Sequence, residues 1–220
     1  MKYRQTFALI CAAIGMTATA ATPLWLRDVK ISPDGQEIAF TYKGDIYKVA
    51  TGGGNAVRLT AMPSYESDIV WSPDGKQIAF ASDRNGGRDI FIMPAGGGAA
   101  TQLTFNSASE TPEAFTPDGK YVVYSASIQD PATSAMFPTG VMREVYRVPV
   151  GGGSPAQILA TPAVGISYLP DGKSFIYEDV KGFEDPLRKH HTSSVTRDIW
   201  RYDASTGRHT NLTARGGEDL

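Results

Sequence analysis

Large apolar residues recur along the chain at positions two apart, a spacing that places their side chains on one face of a β-strand. Four such pairs stand in corresponding positions, at 38 and 40, 78 and 80, 122 and 124, and 175 and 177. Seven positions before each pair lies another large apolar residue: Ile31, Trp71, Phe115 and Tyr168. After each pair come an acid, a β-branched residue and an aromatic residue: Asp45-Ile46-Tyr47, Asp89-Ile90-Phe91, Glu144-Val145-Tyr146 and Asp198-Ile199-Trp200. The pattern predicts a repeated unit of short strands.

A tight turn is predicted between the first two strands of each unit. The four turn sequences are Ser32-Pro33-Asp34-Gly35, Ser72-Pro73-Asp74-Gly75, Thr116-Pro117-Asp118-Gly119 and Leu169-Pro170-Asp171-Gly172. Their first residues lie 40, 44 and 53 positions apart. Proline presets φ and glycine accepts a positive φ, so each tetrapeptide favours a chain reversal between antiparallel strands.

A glycine-rich turn follows the third strand of the first three units, at 52–54, 96–98 and 151–153. The fourth strand is expected to carry Leu59, Leu103, Ile158 or Leu212. Each unit is therefore a predicted four-stranded antiparallel sheet. Such sheets, repeated every 40 to 50 residues or so, are typical of β-propeller blades, which need neighbouring blades to bury enough surface. The sequence predicts an all-β propeller with about four blades.

The composition agrees with a turn-rich β-protein. The chain has 220 residues, 41% of them hydrophobic, with 23 glycines and 14 prolines. The formal net charge is −2, and no basic cluster is present. A nucleic-acid partner is therefore not expected, because such proteins usually present a basic face.

The N-terminus has the pattern of a secretory signal peptide. Lys2 and Arg4 precede an apolar run that ends in small residues, and residues 18–20 read Ala-Thr-Ala. We expect residues 1–20 to be removed between Ala20 and Ala21, which leaves a propeller domain over 21–220. The apolar run is too short for a membrane span. The single cysteine, Cys11, lies in the signal, so the mature chain needs no disulfide in an oxidising compartment. The expected location is the periplasm or the cell exterior.

Several motifs resemble catalytic or metal-binding sites but have a simpler interpretation. The glycine triplets lack the following helix and Lys-Ser/Thr that a phosphate-binding loop requires, so we interpret them as turns. Ser32 and Ser72 correspond to Thr116 and Leu169, so that position does not need a nucleophilic hydroxyl. His190 and His191 are adjacent and would point to opposite faces of a strand. We expect no catalytic residue, metal or cofactor in this chain.

One face of the propeller is the candidate binding surface. Glu66, Glu110 and Asp219 lie on the predicted connectors into the innermost strands, and two long loops, about 126–143 and 179–197, lie on the same face. Long loops on a rigid scaffold often carry function. The surface prediction comprises Glu66, Glu110, Met136, Phe137, Phe183, His190 and His191. Its acids could bind peptide amino groups or remain solvated or capping.

An arginine precedes the acid that begins the third strand in three of the units. These pairs are Arg88-Asp89, Arg143-Glu144 and Arg197-Asp198. We interpret them as a network of hydrogen bonds and charges between blades, which would fix the register of neighbouring sheets.

The repeats resemble a known group of propellers. The pattern from Trp71 to Phe91 resembles the Asp-Gly repeats of TolB-like proteins and of the tricorn protease, and the likeness covers about residues 24–220. The segment from Lys189 to Trp200 is more specifically similar to exported bacterial homologues of tricorn. The resemblance implies a six-bladed propeller, followed in the whole protein by a second propeller and later serine peptidase domains. We expect the chain to stop before a fifth blade.

The resemblance implies a non-catalytic module that binds or gates peptides for catalytic domains outside this chain. Its expected partners are peptides or those protease domains. The sequence leaves open whether the chain also forms a homo-oligomer. Two alternatives remain: a TolB-like periplasmic propeller for protein–protein interaction, and the propeller of a prolyl-oligopeptidase-like peptidase. The sequence beyond Leu220 separates the three. A second propeller, a PDZ domain and a late serine region would favour the tricorn-like peptidase. A stop soon after one complete propeller would favour the TolB-like protein. A G-x-S-x-G motif would favour the prolyl-oligopeptidase-like peptidase.

Overall fold

The computed structural model describes residues 25–128, 142–182 and 196–214. The predicted signal peptide, Asp219 and five members of the predicted surface lie outside these ranges: Met136, Phe137, Phe183, His190 and His191. Of that surface, Glu66 and Glu110 are described.

The described residues form sixteen strands. Those of the first half are β1 (Arg27–Ile31), β2 (Glu37–Tyr42), β3 (Asp45–Ala50), β4 (Val57–Arg58), β5 (Glu66–Trp71), β6 (Gln77–Ser82), β7 (Asp89–Pro94) and β8 (Thr101–Gln102). Those of the second half are β9 (Glu110–Phe115), β10 (Tyr121–Ala126), β11 (Glu144–Pro149), β12 (Ala156–Leu159), β13 (Ala163–Tyr168), β14 (Ser174–Asp179), β15 (Ile199–Asp203) and β16 (Arg208–Asn211).

The strands form four antiparallel sheets of four consecutive strands each. Each sheet is one propeller blade, numbered 1 to 4 along the chain. The first strands of successive blades contact one another, β1 with β5, β5 with β9 and β9 with β13, so they form the inner side of the array. The predicted all-β fold of four-stranded blades is confirmed, and no strand pairing closes these four blades into a ring.

Side-chain hydrogen bonds stabilise the first three Pro-Asp-Gly turns, whose first residue carries a hydroxyl group. In blade 2, Ser72 Oγ donates to Asp74 Oδ1 at 2.7 Å and accepts the amide N–H of Gln77 at 2.9 Å. Gly75 has a φ of 70°, the left-handed conformation that glycine accepts at no steric cost. The same arrangement recurs around Ser32 and Thr116. These hydroxyl groups are therefore part of the turns, as the sequence predicts.

The core lies between the blades rather than within any one of them. Ile78, Phe80 and Phe91 of blade 2 are buried against Ala39 and Ile46 of blade 1. The corresponding face of blade 3 packs on blade 2, and that of blade 4 packs on blade 3. Each blade therefore covers the preceding one with a face of large aromatic and aliphatic side chains.

Blades 1 and 4 each have one face that no other described sheet covers. In blade 1, Ile38, Phe40 and Tyr47 are half-buried, whereas their counterparts in blade 2 are at most 2% exposed. In blade 4, Ile176 and Ile199 are half-buried on the opposite face. The open face of blade 1 corresponds to the face by which each later blade packs on the preceding one. The open face of blade 4 corresponds to the face that receives the following blade.

The fourth strands differ slightly from the prediction. Leu59, Leu103 and Leu212 follow β4, β8 and β16 rather than lying within them, although their N–H groups still bond to the third strand. In blade 3 the corresponding residue is Leu159, not Ile158, because the pairing shifts by one residue between Tyr146 and Val145. Such a bulge depends on how two strands pair, and the spacing of apolar residues does not reveal it.

Candidate functional site

Glu66 and Glu110 are the first residues of β5 and β9, and both are 0% exposed. The sequence places them on open connectors, but the structure places their carboxylates in the interior between consecutive blades. Peptide binding by the predicted surface stays a prediction. Because both glutamates are buried between blades, a peptide that only lies across the open face would not contact their carboxylates.

The carboxylate of Glu66 has a full set of partners. Its Oε1 atom accepts hydrogen bonds from Ser64 Oγ at 2.5 Å, from Ser82 Oγ at 3.1 Å and from Arg84 Nη2 at 3.1 Å. Its Oε2 atom accepts a bond from Thr60 Oγ1 at 3.1 Å. Burying a carboxylate is costly unless it is paired and hydrogen-bonded, and Glu66 meets both conditions.

A second acid lies beside Glu66 across the interface between blades 1 and 2. Asp45 begins β3 and forms an ion pair with Arg58 Nη2 at 2.7 Å. Thr60 joins the two acids, since its hydroxyl also lies 3.4 Å from Asp45 Oδ1. We call Asp45 and Glu66 the first acid pair. Two arginine side chains, one for each carboxylate, balance its charge.

Asp89 and Glu110 occupy the same positions one blade later, between blades 2 and 3, and we call them the second acid pair. Thr104 again donates to the glutamate, at Glu110 Oε2, and accepts the N–H of Ile90 at 2.9 Å. Gln102 Nε2 donates to Asp89 Oδ2 at 3.0 Å. Glu110 Oε1 and Asp89 Oδ1 are buried without a hydrogen-bond partner.

The second acid pair lacks the cations of the first because the residues at those positions are neutral. Gln102 pairs with Phe91 as Arg58 pairs with Tyr47, so it takes the place of Arg58. Ala126 faces Glu110 as Ser82 faces Glu66, so Ile128 takes the place of Arg84. Ala108 likewise stands where Ser64 would be. Two acids remain, and both matching guanidinium groups are gone.

The loss of these partners changes the acidity of the second pair. Burial raises the pKa of Glu110 to about 7, with a further contribution from the nearby Asp89 carboxylate, while the Thr104 hydroxyl opposes the shift. Burial also raises the pKa of Asp89, opposed by the hydrogen bond from Gln102. Below about pH 7, a proton on Glu110 therefore neutralises the carboxylate that a guanidinium group balances in the first acid pair.

Another unpartnered oxygen and a cavity lie beside Glu110. The Tyr124 hydroxyl is buried without a hydrogen-bond partner, and both burial and the nearby Glu110 raise the pKa of Tyr124. A cavity of about 420 Å³ is lined by residues 103–107, Glu110 and residues 153–155. The second acid pair therefore combines buried carboxyl groups, unpartnered oxygens and adjacent space.

The third interface has no such pair. Ala163 begins β13 where Glu66 and Glu110 begin β5 and β9, so only Glu144 remains. Its Oε2 atom accepts bonds from Tyr146 and Gln157, both at 2.7 Å. The second acid pair is distinctive among the three described interfaces.

The arginines before the third strands bond mainly within their own blades. Arg88 forms an ion pair with Asp68 and donates to Ser67 Oγ at 2.7 Å. Arg197 pairs with Glu178 at 3.2 Å. Only the main-chain carbonyls of Arg88 and Arg143 bond to the next blade, at the N–H groups of Glu110 and Ala163. The hydrogen bonds described for these guanidinium groups stay within one blade, but Arg88 also interacts electrostatically with Asp28 of blade 1. The predicted charge network between blades therefore stays a prediction.

Acids on bulges of the innermost strands provide side-chain links between blades instead. Asp28 Oδ2 accepts the Thr41 hydroxyl at 3.0 Å and the N–H of Asp68 in the next blade at 3.2 Å. Glu113 accepts the Ser125 hydroxyl at 2.7 Å and the N–H of Gly165 in the next blade at 3.0 Å. Sequence reasoning missed these residues. Their signal in the sequence is an acid two or three positions before the apolar residue that ends the strand, Ile31 or Phe115.

The four innermost strands also line an open cavity. Its volume is about 480 Å³, and residues of all four blades line it, among them Lys30, Val70, Glu113 and Ser167. Such a cavity, on the inner side of a radial array, is the counterpart of the central channel that propellers enclose.

The chain matches a known protein family over nearly its whole length. The family model described as the tricorn protease N-terminal beta propeller domain matches residues 23–220. The chain belongs to this family. The match spans all sixteen strands and both acid pairs.

Solved structures share the fold of this tricorn-type propeller. A putative TolB from Agrobacterium tumefaciens is 25% identical, with a TM-score of 0.63, and the match covers 84% of this chain and 64% of that one. TolB from Acinetobacter baumannii is 21% identical, with a TM-score of 0.65 and coverage of 86% and 43%. The tricorn protease is 13% identical, with a TM-score of 0.61 and coverage of 84% and 22%.

The tricorn-type propeller therefore spans less than two thirds of each of these three structures. No curated protein matches the chain. Within the described ranges, no helix has the length and apolar character needed to cross a membrane. In the same ranges, no group of three or more His, Cys, Asp and Glu side chains is placed to hold a metal ion.

His209 is the histidine of the tricorn-type propeller that the structure describes. Its Nδ1 atom lies 2.8 Å from the Tyr177 hydroxyl, and its ring packs against Tyr202 with centroids 4.8 Å apart. This contact belongs to the aromatic face of blade 4. It pairs the imidazole with a phenol rather than with a serine nucleophile.

Proposed function

We propose that this chain is the non-catalytic N-terminal propeller of an exported tricorn-like serine peptidase. In this role it binds or gates peptides for catalytic domains that lie outside the chain. The family match over residues 23–220 is the observation that carries the proposal.

The cavity along the innermost strands is the proposed peptide site. It has room for a short peptide segment and combines a lysine, a glutamate and apolar side chains. Peptides or the protease domains of the same protein are the proposed partners. The proposed location is the periplasm or the cell exterior, because residues 1–20 have the pattern of a signal peptide.

Peptide binding tests the proposal directly. Fluorescence anisotropy with a library of labelled peptides should detect binding to the purified chain. Ser167→Trp should weaken that binding at least tenfold, because Ser167 is exposed and lines the cavity. Gln36→Trp is the control, since Gln36 is exposed in a turn outside this cavity. Equal affinities for both variants, or no binding of any peptide, would count against the proposal.

A second candidate function is protein–protein interaction of the TolB type. The 25% identity to the putative TolB structure, against 13% for the tricorn protease, favours it. A pull-down with the purified chain, followed by reconstitution with the captured protein, distinguishes the two. A stable complex with a separate folded protein, together with no peptide binding, would favour the TolB-like role. The prolyl-oligopeptidase-like alternative stays a prediction from the sequence.

A further inference from the structure

We propose that the second acid pair, Asp89 and Glu110, binds one cationic group of a peptide, an ammonium or a guanidinium. The inference deepens the proposed peptide-binding function and rests on it. It assigns a ligand chemistry to a site between blades 2 and 3, away from the cavity along the innermost strands.

The first acid pair shows what this arrangement of oxygens binds within the same chain. Arg58 reaches Asp45 at 2.7 Å, and Arg84 reaches Glu66 at 3.1 Å. The fold therefore accommodates guanidinium groups beside an aspartate and a glutamate placed in this way.

The second acid pair keeps both acids, and among the residues that the structure describes it has no such cation. Gln102 and Ile128 stand at the two arginine positions. Residues 129–141, which follow Ile128, contain neither lysine nor arginine. The next arginine, Arg143, donates to the main-chain carbonyl of Ser109 at 3.2 Å.

The unpartnered oxygens around Glu110 suit a nitrogen cation. Glu110 Oε1, Asp89 Oδ1 and the Tyr124 hydroxyl are buried without partners, so they offer acceptors to the N–H groups of an ammonium or guanidinium. The cavity of about 420 Å³, with Glu110 in its wall, has room for the end of a lysine or arginine side chain. With two carboxylates rather than three or more, the pair suits an organic cation better than a metal ion.

Binding of a cation must compete with a proton on Glu110. Burial raises the pKa of this carboxyl to about 7, and a positive ligand favours its ionised form. The apparent affinity should therefore increase about tenfold between pH 6 and pH 8, in proportion to the ionised fraction of Glu110.

Calorimetric titration of the purified 220-residue chain tests the site with small probes. The probes are Nα-acetyl-arginine amide and Nα-acetyl-lysine amide, with Nα-acetyl-norleucine amide as the uncharged comparison. At least one cationic amide should bind, more tightly at pH 8, and the norleucine amide should not. Equal binding of all three amides, or binding only of Mg²⁺ or Ca²⁺, would overturn the proposal.

Ile128→Arg supplies the guanidinium that Arg84 provides in blade 2, and it should abolish binding of the cationic amides. Ile128→Leu is the matched control and should bind as the unaltered chain does. Glu110→Gln should weaken binding at least tenfold while retaining the size of the side chain. Circular dichroism establishes that each variant is folded, and unchanged affinity in Ile128→Arg and Glu110→Gln would overturn the site.

The same titrations with whole peptides separate this inference from the proposed function. If basic and neutral peptides bind equally and Ile128→Arg changes neither, the proposed function stands and the acid-pair site is wrong. If the cationic amides bind but no peptide does, the acid-pair site stands as a cation site and the peptide-binding function is wrong.

Discussion

Arg84 Nη2 lies 3.1 Å from Glu66 Oε1, and both side chains are largely withdrawn from water, with 15% and 0% of their surfaces exposed. Arg84 also stacks over Phe91, with its guanidinium carbon 4.5 Å from the ring centroid. The arginine thus joins a buried acid to the aromatic core between blades 1 and 2. One blade later the corresponding glutamate, Glu110, has isoleucine in the arginine's place.

Replacement of Arg84 by methionine should destabilise the chain by about 3 to 5 kcal/mol, because it leaves the Glu66 charge buried without its partner. Urea unfolding followed by circular dichroism measures the change. Lys76→Met is the control, since Lys76 and Asp74 form an exposed surface pair at 3.8 Å. That control should change stability by less than about 0.5 kcal/mol. Similar effects of both substitutions would contradict the structural role of Arg84.

Stability should fall as the pH rises from about 5 to 8. The pKa of Glu110 is raised to about 7 in the folded chain from 4.5, so the folded state holds this proton more tightly than the unfolded state does. Its contribution is therefore fully present below pH 4.5 and is lost as the pH passes through 7, by roughly 3 kcal/mol in all. Asp89 has a raised pKa and acts in the same direction.

Glu110→Gln is the variant that isolates this effect, because glutamine stays neutral at every pH in the range. Urea unfolding at pH 5, 6, 7 and 8 should show that the free energy of unfolding falls with pH in the unaltered chain. The same free energy should change less with pH in the variant. A stability that rises with pH in the unaltered chain, or the same slope in both, would refute the role of Glu110.

Glu113 should hold blades 3 and 4 together through its contact with the N–H of Gly165. Glu113→Ala leaves that N–H and the Ser125 hydroxyl without their acceptor, at a cost of about 1 to 3 kcal/mol. Glu113→Gln keeps an acceptor oxygen and should recover most of the loss. Hydrogen exchange of the Gly165 amide provides the local measurement: exchange should become faster in Glu113→Ala alone. Equal exchange rates in both variants would show that the contact does not link the blades.

Much of the architecture could be predicted from the sequence because it depends on local chemistry. The Pro-Asp-Gly turns need only residues within the tetrapeptide and its neighbours, as the bond from Ser72 to Asp74 shows. The two-residue spacing of Ile78 and Phe80 likewise determines which strand face is buried. Strand number, strand order and turn positions follow from these two signals.

The candidate site could be predicted only in part, because it depends on contacts between blades. The sequence singles out Glu66 and Glu110, yet their burial follows from hydroxyl groups and neighbouring sheets that come together only in the fold. Arg84 and Ile128 can be compared only in the fold, where each occupies the same position relative to a buried glutamate. The link from Glu113 to Gly165 joins residues 52 positions apart, which no local pattern reveals.

We propose that this chain binds peptides and that other domains cleave them. One fluorogenic peptide, incubated in parallel with the purified 220-residue chain and with the complete product of its gene, tests this proposal. Fluorescence anisotropy reports binding in the same reactions. Both proteins should bind the peptide, and the complete product alone should hydrolyse it. Hydrolysis by the 220-residue chain that is lost on substitution of one of its own residues would contradict it.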